Sequence, residues 1–239
     1  GPTLNVCEKM GIPTLLQEQN SYAGVTNKLL AKRARRICVA YDNMQRFFPA
    51  DRILLTGNPV RQNLLHTKFT PEEARKSLGL RPDVKTILVI GGSLGARTLN
   101  ESVLSERVHL EAHPEVQILW QTGGYYKDAI AERLKTEGQP DNLVVTDFVT
   151  DMGAAYAAAD LVISRAGASS ISELALLGKP AILVPSPNVA EDHQTHNALA
   201  LVDKEAALYV KDSEAFDELI PLALNTIADD ALLSKLAHN

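Results

Sequence analysis

The stretch "LVISRAGASSISELALLGKPAILVP", residues 161–185, sets two short apolar runs on either side of a small-residue loop and a helical pattern. Four- and five-residue runs of Leu, Val, Ile and Ala read as strands covered on both faces, as in a parallel sheet. One strand over 161–164, the loop 165–170, a helix over 170–177 and a strand over 181–185 make a strand–helix–strand unit. The same alternation extends outward in both directions. Strands are expected at 86–90, 117–121, 143–146 and 207–210, with helices near 95–105, 126–136, 151–158 and 193–203. Alternation at this spacing predicts an α/β fold built on a doubly wound parallel sheet. In "TPEEARKSLGL", 70–80, Thr70 is placed to cap a helix that Pro71 opens and Gly79 stops. The tail from 213 reads as two helices, the first interrupted near Pro221.

Residues 1–60 differ. They read as a helix near 3–10, strands at 13–16, 37–41 and 53–56, and a helix near 22–34, too little for an independent core. The chain opens on a helix with no strand before it, so it is expected to enter partway through a domain, with "TGNPVR", 56–61, as the boundary. Charge divides at the same place. Residues 1–60 hold eight Lys/Arg and four Asp/Glu, net +4; residues 61–239 hold sixteen and twenty-five, net −9. The basic cluster "KLLAKRARR", 28–36, suits either the solvated face of an amphipathic helix or anionic lipid headgroups. A 45% hydrophobic and 22% charged composition is that of a soluble globular protein. No apolar run approaches the ~20 residues of a membrane span, and no signal peptide opens the chain. Cys7 and Cys38 have no metal-ligand spacing and read as small packing residues of a reducing compartment. The acidic balance of the larger part and the lack of any nucleic-acid module argue against a nucleic-acid partner.

Three loops that follow strands gather the polar chemistry. "TILVIGGSLGARTLN", 86–100, puts Gly91, Gly92, Ser93 and Gly95 between a strand and a helix, where free N–H groups and the helix dipole suit a phosphate. Its spacing matches neither G-x-G-x-x-G nor G-x-x-x-x-G-K-[ST]. In 165–170, Ser169 or Ser170 is a candidate helix cap. Glu173 then reads either as the acid of a capping box or as an acceptor for two adjacent ribose hydroxyls. "PSPNVAEDHQTHNA", 185–198, brings His193, Gln194, His196 and Asn197 to a helix entrance; the two histidines alone are a weak metal signal. Loops after parallel strands share one rim, where open α/β sheets bind ligands. A fourth group, Gln17, Glu18, Gln19, Asn20 and Asn27, surrounds an earlier strand-to-helix turn and offers amides for capping or for sugar hydroxyls. There is no D-x-D acid pair, and no cofactor is called for.

In order, "EQNSYAGVTNKLLAK", "TGNPVR", "GGSLGARTLN", "WQTG", "FVTDM", "SRAGASSISEL" and "HQTHNA" resemble the MurG family, the bacterial UDP-N-acetylglucosamine transferases of peptidoglycan synthesis. That resemblance spans nearly the whole chain. It implies the glycosyltransferase B architecture of two Rossmann-like domains. Residues 1–60 would be the C-terminal remnant of the acceptor-binding N-terminal domain, and 61–239 the UDP-GlcNAc-binding C-terminal domain. It further implies that Val149 bonds the uracil through its backbone and Glu173 the ribose. Ser93 and the backbone of Ala168, Ser169 and Ser170 would face diphosphate or sugar, with Arg61 beside the nucleotide. His193 and Gln194 would contact sugar and phosphate, and Asn20 and Asn27 would lie near the transferred sugar. The implied reaction is inverting transfer of GlcNAc to the 4-hydroxyl of a lipid-linked muramoyl-pentapeptide, at the cytoplasmic face of the bacterial inner membrane. The catalytic base would lie in the part of the family pattern that precedes residue 1. A UDP-sugar binding module without turnover, and a UDP-GlcNAc 2-epimerase of the same architecture, are the alternatives.

Overall fold

A computed structural model of the chain describes residues 1–239, apart from the side chain of Ala190. Two parallel sheets organise it. The larger has six strands, β4 (Lys85–Ile90), β5 (Val116–Gln121), β6 (Leu143–Thr146), β7 (Leu161–Ser164), β8 (Ala181–Leu183) and β9 (Leu208–Tyr209), in the order β6-β5-β4-β7-β8-β9. The smaller joins β1 (Leu15–Glu18), β2 (Arg36–Val39) and β3 (Ile53–Leu55) in sequence order.

The apolar runs become central strands because both faces are covered. In β4, Ile87 and Val89 enter one core while Leu88 and Ile90 enter the other. The first core is closed by α4 (Arg97–Ser105), α6 (Lys127–Glu137) and α10 (Ala215–Ala228). The second is closed by α3 (Pro71–Ser77), α7 (Met152–Ala158), α8 (Ala168–Leu177) and α9 (His193–Val202). Alternation of the pleat sends successive side chains to opposite layers, so a wholly apolar strand is the economical solution. The short α5 (Arg107–Glu111) and the final α11 (Asp230–His238) complete this part, with α1 (Pro2–Lys9) and α2 (Val25–Leu30) beside the small sheet.

Four details depart from the expected pattern. Pro221 does not interrupt the tail: α10 runs through it. The proline is exposed, so the Asp217 carbonyl it deprives of a donor reaches water, while Leu219, Ile220, Ala223 and Ile227 bury the opposite face. The helix expected over 22–34 stops at Leu30, because Ala31 and Ala34 turn inward and Arg52 donates to the carbonyls of Ala31, Lys32 and Ala34. Hence the basic cluster lies on a helix end, a turn and a strand start rather than one helix face. Strand β1 begins two residues later than 13–16, which turns Leu16 and Glu18 inward. Finally, α8 starts at Ala168 behind an N-cap Gly167, so Ser169 and Ser170 lie inside its first turn and cap nothing. The Thr70–Glu73 capping box does form.

Candidate functional site

Strand order reverses between β4 and β7, which pair directly although β5 and β6 separate them in sequence. Such a switch point opens a crevice at the carboxyl ends of the two strands. The loops that leave there are 91–96 and 165–167. Their helices, α4 and α8, both begin without a side-chain cap, whereas Asp151 caps α7. Uncapped N–H groups and two helix dipoles therefore meet at one place, the arrangement that attracts an anion. Backbone crowding dictates the glycines: a Cβ on Gly95 would lie 2.0 Å from the Thr122 carbonyl oxygen, and one on Gly123 2.2 Å from the Gly95 nitrogen. Both have positive φ, 81° and 82°. Ser93 stands exposed at the loop's tip.

Arg165 ties the rim together. It donates to the carbonyls of Val184 (3.1 Å) and Pro185 (3.2 Å) and pairs with Asp212, whose other oxygen accepts from Thr98 at 3.0 Å. Loops after β7, β8 and β9 and the first turn of α4 are thus pinned by one guanidinium. Sequence reading missed this role, since nothing local links residue 165 to 212.

Glu173 lies at the sixth residue of α8, so the capping-box reading fails. The residue is 8% exposed, and its carboxylate accepts from Arg61 Nε (3.0 Å), Arg61 Nη2 (3.1 Å) and the Tyr156 hydroxyl (3.0 Å). Burial, and then the charge of Glu173, push the Tyr156 phenol above its ordinary range, keeping it a neutral donor. Arg61 remains half exposed. Tyr156 was not anticipated: it sits in an alanine-rich helix whose pattern signals only packing.

Across the junction with the small sheet, Asn20, Asn27 and His193 line one cleft of ≈ 480 Å³, with Glu18 and Glu191. Glu18 is 3% exposed and accepts from the Asn20 and Gly24 N–H groups and from both asparagine carboxamides. His193 Nδ1 is buried without a protein partner, and Nε2 lies 3.6 Å from Glu191. His196 turns elsewhere and stacks on Tyr22 at 4.8 Å, so the two histidines do not converge. Gln194 Oε1 accepts from the N–H groups of Ala166 (3.1 Å) and Ser186 (2.9 Å), joining the loops after β7 and β8. Val149 is 6% exposed and packs in the second core beside Tyr156. The structure thus brings Arg61 to Glu173, and Asn20 and Asn27 to His193. Ser93, Ala168, Ser169 and Ser170 stand at the switch point.

A parallel α/β unit with its ligand crevice at a switch point defines a nucleotide- or phosphate-binding class of protein. More narrowly, residues 86–236 match the glycosyltransferase family 28 C-terminal domain, and the chain belongs to that family. It is 63% identical over 239 residues to a Bacteroides fragilis protein named UDP-N-acetylglucosamine–N-acetylmuramyl-(pentapeptide) pyrophosphoryl-undecaprenol N-acetylglucosamine transferase, covering all of this chain and 63% of that relative. The crystal structure of Acinetobacter baumannii MurG superposes with a TM-score of 0.75 at 34% identity, covering 99% of this chain and 65% of that one. A putative UDP-N-acetylglucosamine 2-epimerase from Listeria monocytogenes shares the fold alone, at TM-score 0.65 and 13% identity, over 98% of this chain and 64% of its own. The chain therefore spans less than two thirds of the length of these proteins.

Proposed function

We propose that residues 61–239 bind UDP-GlcNAc and that this chain forms the donor half of an inverting GlcNAc transferase acting on a lipid-linked muramoyl-pentapeptide. Residues 1–60 then belong to the acceptor-binding domain. The observation that carries the reading is the switch point between β4 and β7, with two uncapped helix starts aimed at one crevice. The names of the relatives supply the sugar and the acceptor.

In this reading the diphosphate lies against the N–H groups of 91–96 and the α8 start. Ser93 and the backbone of Ala168, Ser169 and Ser170 flank it, Val149 holds the uracil, and His193 and Gln194 reach the sugar. The acceptor hydroxyl gives its proton to a base and attacks the anomeric carbon from the far side, as the bond from that carbon to the diphosphate oxygen breaks and UDP leaves. Charge grows on the diphosphate as the bond breaks, so fixed N–H dipoles stabilise the transition state more than the ground state. Glu173 receives the ribose diol on the carboxylate edge now held by Arg61. Tyr156 keeps the carboxylate oriented during that exchange, and the released, half-exposed guanidinium moves toward the phosphates. The exposed cations Lys32, Arg33, Arg35 and Arg36, beside the exposed Leu29, meet an anionic membrane surface. In this reading the protein works at the cytoplasmic face of the bacterial inner membrane; no helix among the described residues is long and apolar enough to cross a membrane.

Calorimetric titration with UDP-GlcNAc, competed by UDP and by TDP or ADP, tests the donor site: UDP competes and the others do not. Equal competition by ADP overturns the uracil assignment. Transfer to a lipid-linked acceptor analogue then tests the reaction. The alternative is UDP-sugar binding without turnover; binding with no product establishes it.

A further inference from the structure

We propose that Asn197 is a positioning residue that holds the sugar-side cleft of the small unit in register with the loop after β7. The proposal rests on the transfer reading above and deepens it. Asn197 is 0% exposed. Its Oδ1 accepts from the Ser21 N–H at 2.9 Å, and its Nδ2 donates to Asn20 Oδ1 at 2.9 Å and to the Ala166 carbonyl at 3.3 Å. Every hydrogen of this carboxamide is spent, and each bond reaches a segment distant in sequence. Satisfied buried amides of this kind fix one arrangement, because any alternative strands a polar group away from water.

Asn197 and Gln194 lie three residues apart on α9 and share the same target. Gln194 holds the Ala166 N–H while Asn197 holds its C=O, so the two peptide units that flank the Ala166 Cα are each fixed by one side chain of α9. Gln194 then turns to Ser186 within the large unit, whereas Asn197 crosses to the small one. There it settles the orientation of Asn20. The Asn20 oxygen takes the Asn197 N–H, so its nitrogen is left to donate to Glu18, which also receives Gly24 and Asn27. A continuous chain of hydrogen bonds therefore runs from the loop at 166 to the Asn20–Asn27 wall of the cleft.

The other contacts between the two units are looser. Asn58 donates to Ser172 at 2.9 Å, Tyr22 stacks on His196, and Lys204 lies 3.9 Å from Asp42, each with at least one exposed or half-exposed partner. Among the described residues, Asn197 supplies the fully buried side-chain bridge. Transfer needs the attacking hydroxyl in line with the anomeric carbon, and a displacement near 1 Å costs on the order of a hundredfold in rate. A bridge that fixes the spacing of the two walls acts on that alignment without touching the nucleotide.

Full-length Asn197→Ala and Gln194→Ala proteins, compared with the unaltered one, separate the two roles. For Asn197→Ala, kcat/KM for the acceptor falls about thirtyfold while the dissociation constant for UDP stays within about threefold. For Gln194→Ala, UDP affinity falls at least as much as kcat/KM. Combining Asn197→Ala with Asn20→Ala costs little beyond either change alone, as expected for two members of one link. If Asn197→Ala does not fold, Asn20→Ala alone must show the same split. Equal losses of UDP affinity and of kcat/KM in Asn197→Ala, or kcat/KM within about threefold of the unaltered protein, overturn the proposal. A readout free of turnover keeps it distinct from the transfer reading: Asn197→Ala speeds hydrogen exchange at the Ser21 amide more than tenfold, and unchanged exchange there refutes the bridge. Absence of product from the unaltered protein refutes transfer instead, leaving the exchange result to decide the link.

Discussion

Each of the two units buries one carboxylate, and the two are held in opposite ways. Glu18 in the small unit is surrounded by main-chain and carboxamide N–H groups from residues two to nine positions away. Glu173 in the large unit is held by a guanidinium 112 positions away and a phenol 17 positions away. Glu18 faces donors that are fixed by the turn itself, so its bonds organise the turn. Glu173 faces one rigid partner, Tyr156, and one half-exposed partner, Arg61, that can leave. A carboxylate saturated by fixed donors is a structural device; one paired with a movable cation is suited to exchanging partners with a ligand.

That contrast breaks most readily at Glu18. Glu18→Ala leaves several N–H groups in a buried turn without an acceptor, each costing about 1–3 kcal/mol. The expected loss is about 4 kcal/mol in urea unfolding with an unchanged m-value, while UDP affinity of the molecules that remain folded is unaffected. A loss under about 1 kcal/mol would mean that water replaces the carboxylate and that the turn is not built on it. Glu173→Ala reverses the pattern. UDP-GlcNAc affinity falls by about 1–3 kcal/mol, the range for lost charged hydrogen bonds, measured by calorimetry on protein whose circular dichroism is unchanged. Unchanged affinity with the fold intact removes the ribose assignment.

The same contrast explains what the sequence discloses. Strand–helix alternation from β4 to β9 was legible because strands covered on both faces need short unbroken runs of Val, Ile and Leu, and 86–90 and 161–164 are each bounded by a glycine-bearing loop and a helical pattern. Polar residues near Gly24 were legible as a cluster because Glu18, Asn20 and Asn27 act on one another locally. Glu173 was legible as an unusual acid, yet its partners were not, since only the fold brings Arg61 and Tyr156 to it. Arg165 was hidden for the same reason: its carbonyl partners and Asp212 carry no pattern. Pro221 misled because local breaking power was outweighed by the apolar face of α10 packed on the core. The expected Ser170 cap failed where Gly167, with extended φ and ψ of −68° and 148°, starts the helix three residues sooner.

The smallest expected effect lies within the Glu173 cluster and sharpens the distinction between its fixed and movable partners. Tyr156→Phe removes one neutral donor and costs about 1 kcal/mol of stability near neutral pH. Because burial and the adjacent carboxylate suppress ionisation of this phenol in the folded state, moving it to higher pH, its contribution is complete below pH ~10 and is lost as pH climbs toward the folded value. Over that interval the unfolded chain releases the phenolic proton first, so unaltered protein loses up to about 1.4 kcal/mol per pH unit through this group, and Tyr156→Phe does not. Tyr41, which burial pushes up to about 12, titrates in both proteins and cancels in their difference. The stability gap between them, flat from pH 7 to 9, should therefore narrow above pH 10. A gap that stays constant or widens would show that the phenol is not held neutral against Glu173, and Arg61 would then be the carboxylate's principal support rather than its exchangeable one.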